Sequence, residues 1–382
     1  DLHCPWSLTD YFAMRLRFCP YISRLAFRPR SISARIFLAL FVICPYLSPL
    51  AGQEIEVTHF GWNGTFQPGR WTPLRVQVTD APSAPPVFDV SAKDAEGNTL
   101  VLRQSGVPTS NPGEYELRVK MGRMESELKV QLIDGDQPVA TASYRLSDSA
   151  GTASAVKLDH HIIGCLTTNE EFAQRVKEEF AELELPGRQF VRFVPLASGD
   201  ALPNQVVNWD SLDVLLLSAD ISLPAEQSSA LLQWIREGGQ LVLSIDSLES
   251  YQASPFAEWL PLNLGRALKL RDLSQFESFI GRSSRIEFSG RVDAVEFTDF
   301  LGSNVVDSLD GPLVILLPFG FGNVVVSGVA LDRPPLANWS SITRLIRKLS
   351  FPEQSETNRE GESRNQQLTD SGINELATQL SL

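Results

Sequence analysis

The most informative pattern of apolar and polar positions lies in residues 212–246, LDVLLLSADISLPAEQSSALLQWIREGGQLVLSID. The unbroken apolar run at its start predicts a strand that is covered on both faces. Pro224 suits the first turn of a helix, and apolar residues then recur at helical spacing: Ala230, Leu231, Trp234 and Ile235. Gly238-Gly239 marks the end of the helix, and QLVLSID is a second buried strand. The segment predicts one strand–helix–strand unit of a doubly wound α/β sheet.

The same periodicity continues on both sides of this unit. DHHIIGCL predicts a buried strand, Asn169 can cap the helix EEFAQRVKEEFAELE, and RQFVRFVPL predicts the next strand. Further on, PLVILLPFGFGNVVVSGVALD predicts a hairpin that turns at residues 320–322, and WSSITRLIRKLS predicts a closing helix. We therefore expect an α/β domain over residues 157–352, with an irregular β excursion at about 266–310.

Residues 53–147 follow a different period. Short alternating segments such as RWTPLRVQVTD and SELKVQLID are separated by turn clusters rich in Gly, Pro and Asn. This pattern predicts an all-β sandwich of immunoglobulin-like architecture. Four aromatic residues near its first turn are expected to pack in the core and edge of the sandwich, or to form a platform on which a ligand stacks: Phe60, Trp62, Phe66 and Trp71.

The two ends of the chain are expected to lie outside these domains. Residues 1–52 combine arginines, the apolar run Ile36 to Cys44 and a small-residue end, a pattern typical of a signal peptide or an N-terminal anchor. The apolar run is shorter than the roughly 20 residues that span a bilayer. Residues 353–382 are polar and predict a linker and tail. We expect an extracytoplasmic (periplasmic-side) protein, secreted or membrane-anchored.

Charge and cysteine content narrow the function classes. Six of the 33 basic residues but two of the 46 acidic ones lie in residues 1–52, so the remainder has 27 basic and 44 acidic residues, a net charge of −17. Such an acidic body argues against nucleic acid as a partner. Cys165 is the one cysteine outside residues 1–52, which excludes an internal disulfide or a cysteine-based zinc site in the remainder.

The pattern resembles the class I glutamine-amidotransferase-like domain, a flavodoxin-like sheet, of bacterial membrane-associated proteins. The matching pieces are the strands DVLLLSAD and LVLSID, the helix end WIREGG and the late segment FGFGNVVVSGVALDRPPLANW, within about residues 158–350. In such proteins a signal sequence and a β-sandwich precede this domain, and transmembrane helices often follow. The resemblance implies membrane association through the N-terminal segment or through a helix beyond Leu382.

The resemblance also implies a Cys-His-Glu triad, but the sequence departs from it. Ser244 stands near the position of the cysteine nucleophile, and no histidine follows His161. A nucleophile needs an adjacent base to take its proton, so amidotransferase chemistry is excluded. Cys165 is expected to be a buried structural thiol, the alternative being a reactive one.

Three carboxylates form the remaining candidate site. Asp220, Asp246 and Asp332 each follow a predicted central strand, at the edge where doubly wound sheets bind ligands. Together they could hold Mg²⁺ or Ca²⁺, which prefer oxygen ligands. The alternative is that each caps a helix or stabilises a turn.

These observations favour a non-catalytic cell-envelope interaction or scaffold protein with a degenerate amidotransferase-like domain. It would have no catalytic residues and no cofactor, and its partners would be other envelope proteins. The alternative is a metal-dependent hydrolase or small-ligand-binding protein that uses Asp220, Asp246 and Asp332. Oligomeric state and partner identity do not follow from the sequence.

Overall fold

A computed structural model of the chain describes residues 53–80, 85–124, 126–146, 154–182, 190–196, 202–281 and 284–352. The predicted leader 1–52 and the tail 353–382 lie outside the described residues. The strands are β1 (Ile55–Phe60), β2 (Thr65–Phe66), β3 (Trp71–Val78), β4 (Val87–Lys93), β5 (Thr99–Ser105), β6 (Val107–Pro108), β7 (Glu114–Lys120), β8 (Ser126–Asp134), β9 (Gln137–Leu146), β10 (Ser154–Ala155), β11 (His160–Leu166), β12 (Phe190–Leu196), β13 (Val214–Ser218), β14 (Gln240–Ser244), β15 (Leu262–Leu270), β16 (Val292–Phe300), β17 (Ser303–Ser308), β18 (Gly311–Phe319) and β19 (Gly322–Ser327).

Six α-helices accompany these strands in the described residues: α1 (Glu170–Glu182), α2 (Ala225–Arg236), α3 (Leu248–Ala253), α4 (Phe256–Trp259), α5 (Ser274–Phe279) and α6 (Ile342–Ser350). Two short 3₁₀ helices cover Val206–Trp209 and Leu336–Asn338. None of the helices in the described part of the chain has the length and apolar content needed to cross a bilayer.

The N-terminal part is a sandwich of two antiparallel sheets. One sheet has the strand order β1-β3-β7-β6, and the other has the order β5-β4-β8-β9. Their inward side chains alternate with outward ones and form one apolar core that includes Phe60, Phe66, Phe88, Leu117 and Met121. The prediction of an all-β sandwich is confirmed at this level.

The following part is built on a seven-stranded sheet. Its order is β12-β11-β13-β14-β19-β18-β17; the first five strands are parallel, β18 runs antiparallel to β19, and β17 pairs antiparallel with β18. Helix α2 covers one face, and helices α1 and α6 cover the other. All five residues of β13 are buried, as expected for a strand enclosed by helices on both sides. A parallel sheet with helices on both faces is therefore present.

Local signals in the sequence mark the helix ends. The Asn169 side chain accepts a hydrogen bond from the Phe172 N–H at 3.0 Å, which confirms the predicted cap of α1. Pro224 is the N-cap residue of α2 and not part of its first turn as predicted, because α2 begins at Ala225. Gly238 has φ +122°, and a Cβ on Gly239 would lie 2.3 Å from the Trp234 ring. Both positions therefore require glycine where α2 ends and β14 begins.

The predicted β excursion is only partly made of strands. Strands β15 and β16 form a separate two-stranded antiparallel ribbon. The segment RSSRIEFSG, which lies inside this predicted excursion, forms no strand in its described residues 284–290. Helix α5, which the sequence reasoning missed, anchors this region because Phe276 is fully buried in the core. Packing against the main core has overridden the local pattern there.

A buried carboxylate joins the sandwich to the α/β layer. Glu116 of β7 is 1% exposed and accepts hydrogen bonds from the N–H groups of Asn204 (2.8 Å) and Gln205 (3.2 Å) and from Nδ2 of Asn208 (2.6 Å). Burial raises the pKa of Glu116, against the opposing effects of these donors and of Arg75. Because the three donors belong to the segment that leads into β13, Glu116 holds that segment on the sandwich.

A row of three tryptophans with tilted rings in contact extends the junction. The Trp62 and Trp209 ring centroids are 5.4 Å apart, and the Trp209 and Trp234 centroids are 5.2 Å apart. The expectation that Trp62 packs within the sandwich is therefore wrong, since its side chain belongs to the core of the α/β layer. Phe60 and Phe66 do lie in the sandwich core.

A second carboxylate reinforces the same junction. Asp213, just before β13, accepts hydrogen bonds from Nη1 of Arg70 in the sandwich (3.1 Å) and from the Ile162 N–H of β11 (2.7 Å). Burial opposes its ionisation, but the hydrogen bonds from His161 and Ile162 and the charge of Arg70 hold its pKa below the usual value. The two parts of the chain are thus connected through several buried polar contacts.

We expect Glu116→Ala to destabilise the fold by about 2–4 kcal/mol, because one buried donor and two half-buried ones would lose their acceptor. Urea unfolding followed by circular dichroism would measure the change. Glu127→Ala is the matched control, since Glu127 lies exposed on β8. Equal stabilities for the two variants would contradict this role of Glu116.

Candidate functional site

The carboxyl ends of the parallel strands bring a polar cluster together. Strands β13, β14 and β19 end at Ser218, Ser244 and Ser327, which are aligned in register across the sheet. Asp220 and Asp246 follow the first two strands, and Asp332 follows the third. All three candidate carboxylates therefore lie beyond the same edge of the sheet.

Asp332 is held inside the protein. Its side chain is 4% exposed and accepts hydrogen bonds from the hydroxyl groups of Ser218 (2.7 Å) and Thr167. Its carbonyl oxygen accepts a hydrogen bond from Nδ2 of Asn169 at 2.7 Å. Asp332 thus fastens the loop after β19 to the ends of β11 and β13.

Arg333 connects the other two carboxylates. Its Nη2 lies 3.2 Å from Oδ2 of Asp220 and 2.9 Å from Oδ2 of Asp246. Asp246 also accepts a hydrogen bond from the Ser250 hydroxyl group in α3. Sequence reasoning missed Arg333, because an arginine in a loop carries no signal of its partners until the fold places two carboxylates beside it.

The structure does not form the metal site considered from the sequence at Asp220, Asp246 and Asp332. Among the described residues, no three His, Cys, Asp or Glu side chains are grouped in a way that could hold a metal ion. The physical reason is that the guanidinium group of Arg333 already lies between Asp220 and Asp246 and pairs with both, while Asp332 accepts hydrogen bonds from hydroxyl groups.

Ser244 lies at the end of β14 but is not disposed for nucleophilic attack. It is 2% exposed, and its Oγ accepts a hydrogen bond from the Leu331 N–H at 2.9 Å. The three histidines in the described residues lie elsewhere: His59 in β1, and His160 and His161 at the opposite edge of the parallel sheet. Among the described residues, therefore, no imidazole can take the proton of Ser244.

Cys165 lies near the carboxyl end of β11 and is fully buried. Burial raises the pKa of its thiol, and the negative charge of Asp332 raises it further. A thiol that does not ionise is a weak nucleophile. This agrees with a structural role for Cys165.

A cavity of about 620 Å³ opens beside this cluster. It lies between the loops that follow β14 and β19 and the ribbon β15–β16. Residues with charged side chains contribute to its wall on several sides: Asp246, Glu249, Glu287, Arg291, Asp293 and Arg333. Apolar residues such as Phe288 and Pro334 complete it. The volume falls in the range typical of small-molecule pockets, about 300–1,000 Å³.

Comparisons with known proteins give little further information. No family model and no curated protein matches the chain. One similar solved structure is that of a ThuA-like protein from Bacteroides uniformis. It is 12% identical, the match covers 50% of this chain and 89% of that one, and the TM-score is 0.30. A TM-score this low does not assign a fold or a function to this chain.

We expect millimolar Ca²⁺ or Mg²⁺ to leave the Tm of the wild-type protein unchanged, because Arg333 occupies the position between Asp220 and Asp246. Arg333→Ala leaves these two carboxylates without their cation, so Ca²⁺ should raise the Tm of this variant by about 2–4 °C. Differential scanning fluorimetry would measure both, with the exposed Arg285→Ala as the control. A Ca²⁺-dependent rise in the wild-type Tm would contradict the assignment.

Proposed function

We propose that this chain is a non-catalytic interaction protein of the cell envelope. In this proposal an immunoglobulin-like sandwich precedes a flavodoxin-like, class I amidotransferase-like layer that has lost its chemistry and is used for binding. The observation that carries the proposal is the state of Ser244, which is buried and hydrogen-bonded to a backbone N–H; the resemblance puts the nucleophile near this residue.

The topology supports the two fold assignments. In the α/β layer the second, first, third, fourth and fifth strands lie side by side in that order, which is the flavodoxin-like arrangement. In the sandwich, the first, second, fifth and fourth main strands form one sheet when β2 and the edge strand β5 are set aside. That order corresponds to the ABED sheet of immunoglobulin domains, with the other sheet corresponding to CFG and an added edge strand.

The charged groups at the sheet edge also favour binding over hydrolysis. A metal-dependent hydrolase needs open carboxylates, whereas Asp220 and Asp246 are both in contact with Arg333. A base with a pKa near neutrality is also needed, and the histidines of the described residues lie away from this edge. Small-ligand binding is the second candidate, and the cavity of about 620 Å³ beside Asp246 favours it.

We expect the purified protein to release no ammonia from glutamine. It should also leave p-nitrophenyl acetate and p-nitrophenyl phosphate intact, with or without Mg²⁺. Ser244→Ala and Asp246→Asn should show the same background rate as the wild type. A turnover that is present in the wild type and lost in either variant would show that the chain is an enzyme.

The proposed location has a separate test. We expect alkaline phosphatase fused after residue 352 to be active in bacterial cells, because that enzyme folds only where its disulfides can form, outside the cytoplasm. The same fusion without residues 1–52 is the control and should be inactive. Equal activity of the two fusions would contradict export through the N-terminal segment.

A further inference from the structure

The crevice where a doubly wound sheet normally receives its ligand is filled by the protein itself. That crevice lies where the strand order reverses, here between β11 and β13. Thr167 and Ser218, at the ends of these two strands, both donate hydrogen bonds to the buried Asp332. Arg333 then spans the neighbouring Asp220 and Asp246. A ligand is therefore expected beside this position rather than in it.

The cavity of about 620 Å³ provides the space. Its roof is the ribbon β15–β16 with the preceding segment 287–291, and its floor is formed by the loops after β14 and β19. Val295 and Phe288 give the ribbon side an apolar surface, and Pro334 and Pro335 give one to the opposite side. Apolar walls with a few charged groups are typical of a site that orients a small ligand.

The charges around the cavity have both signs and are not all paired. Glu249, Glu287 and Arg291 form no ion pair or side-chain hydrogen bond with any other part of the described chain. Arg333 uses Nη2 for both of its carboxylate contacts. Its Nε and Nη1 have no hydrogen-bond acceptor among the described residues. Half of the side chain is exposed, so these donors are accessible to a ligand. The cavity thus offers free donors from two guanidinium groups and free acceptors from two carboxylates.

A ligand of a single charge would meet repulsion in such a cavity. An anion would be attracted by Arg291 and Arg333 but repelled by Glu249 and Glu287, and a cation would meet the reverse. A ligand that carries one charge of each sign can pair with both sets, and charge-assisted hydrogen bonds are stronger than neutral ones. Charge complementarity therefore selects a dipolar ligand.

We propose that this cavity binds a short peptide with free termini. The peptide carboxylate pairs with Arg291 and the open donors of Arg333, the ammonium group pairs with Glu249 and Glu287, and the side chains contact the apolar walls. This inference rests on the proposed non-catalytic binding function and names its ligand class.

The test is isothermal titration calorimetry of the full chain with the tripeptide Ala-Leu-Ala. We compare three forms of it: free termini, N-acetylated and C-amidated. Saturable binding is expected for the free form, and each cap should weaken it by about tenfold, since each removes one charge-assisted contact. Absence of saturable binding, or equal affinities for the three forms, would overturn the proposal.

Matched variants assign the two charges. Arg291→Ala should weaken the free peptide about tenfold and leave the amidated form unchanged. The Glu249→Gln/Glu287→Gln double variant should weaken binding of the free peptide about tenfold and leave binding of the acetylated form unchanged. Arg285→Ala and Glu258→Gln are the controls, because both residues are exposed and lie outside the cavity wall. Uniform losses that ignore the caps would contradict the assigned contacts.

Analysis of the peptide after titration separates the two proposals. Bound and intact peptide supports both. If neither binding nor cleavage occurs, the ligand assignment fails while the non-catalytic function stands. Cleavage of the peptide would contradict the non-catalytic function itself.

Discussion

The arrangement of the molecule depends on a buried negative charge. Glu116 projects from the sandwich into a segment of the α/β layer and accepts three hydrogen bonds there. A carboxylate is costly to bury unless its oxygens are satisfied, so these donors must be held in position. Their segment leads directly into β13, the central buried strand beside which the polar cluster is built. Together with the row of three tryptophans, Glu116 makes the sandwich a support for the sheet rather than an independent attachment.

The same physical rule shapes the other end of the sheet. Polar groups gather at the carboxyl ends of the parallel strands, and here most of them contact one another. Asp332 accepts hydrogen bonds from hydroxyl groups, and Asp220 and Asp246 share the single positive charge of Arg333. Groups that are already paired gain little from a metal ion or a reacting substrate. This edge of the sheet is occupied by paired side chains, while the neighbouring cavity retains unpaired charges.

The features that follow from the sequence are those set by local periodicity. The helix ending at Gly238-Gly239, the enclosed strand β13 and the cap at Asn169 depend on residues a few positions apart. The features that do not follow depend on contacts across the fold. Trp62 packs against Trp209, which is 147 residues later in the sequence, and Arg333 pairs with Asp220, which is 113 residues earlier. The candidate carboxylates could be placed at one edge from the strand pattern, but the arginine that pairs two of them could not.

The ribbon β15–β16 forms one wall of the cavity and is not a member of the seven-stranded sheet. It lies between β14 and β19, yet these two strands pair directly and in full register without it. The ribbon is still fixed to the scaffold on its inner side, because the Val295 N–H donates a hydrogen bond to the carbonyl oxygen of Gly328, just after β19, at 2.8 Å. Its outward positions, such as Asp293, form part of the cavity wall without entering the pairing of β14 with β19. These outward positions are therefore the ones at which the cavity wall can be redesigned while the parallel sheet keeps its hydrogen bonds.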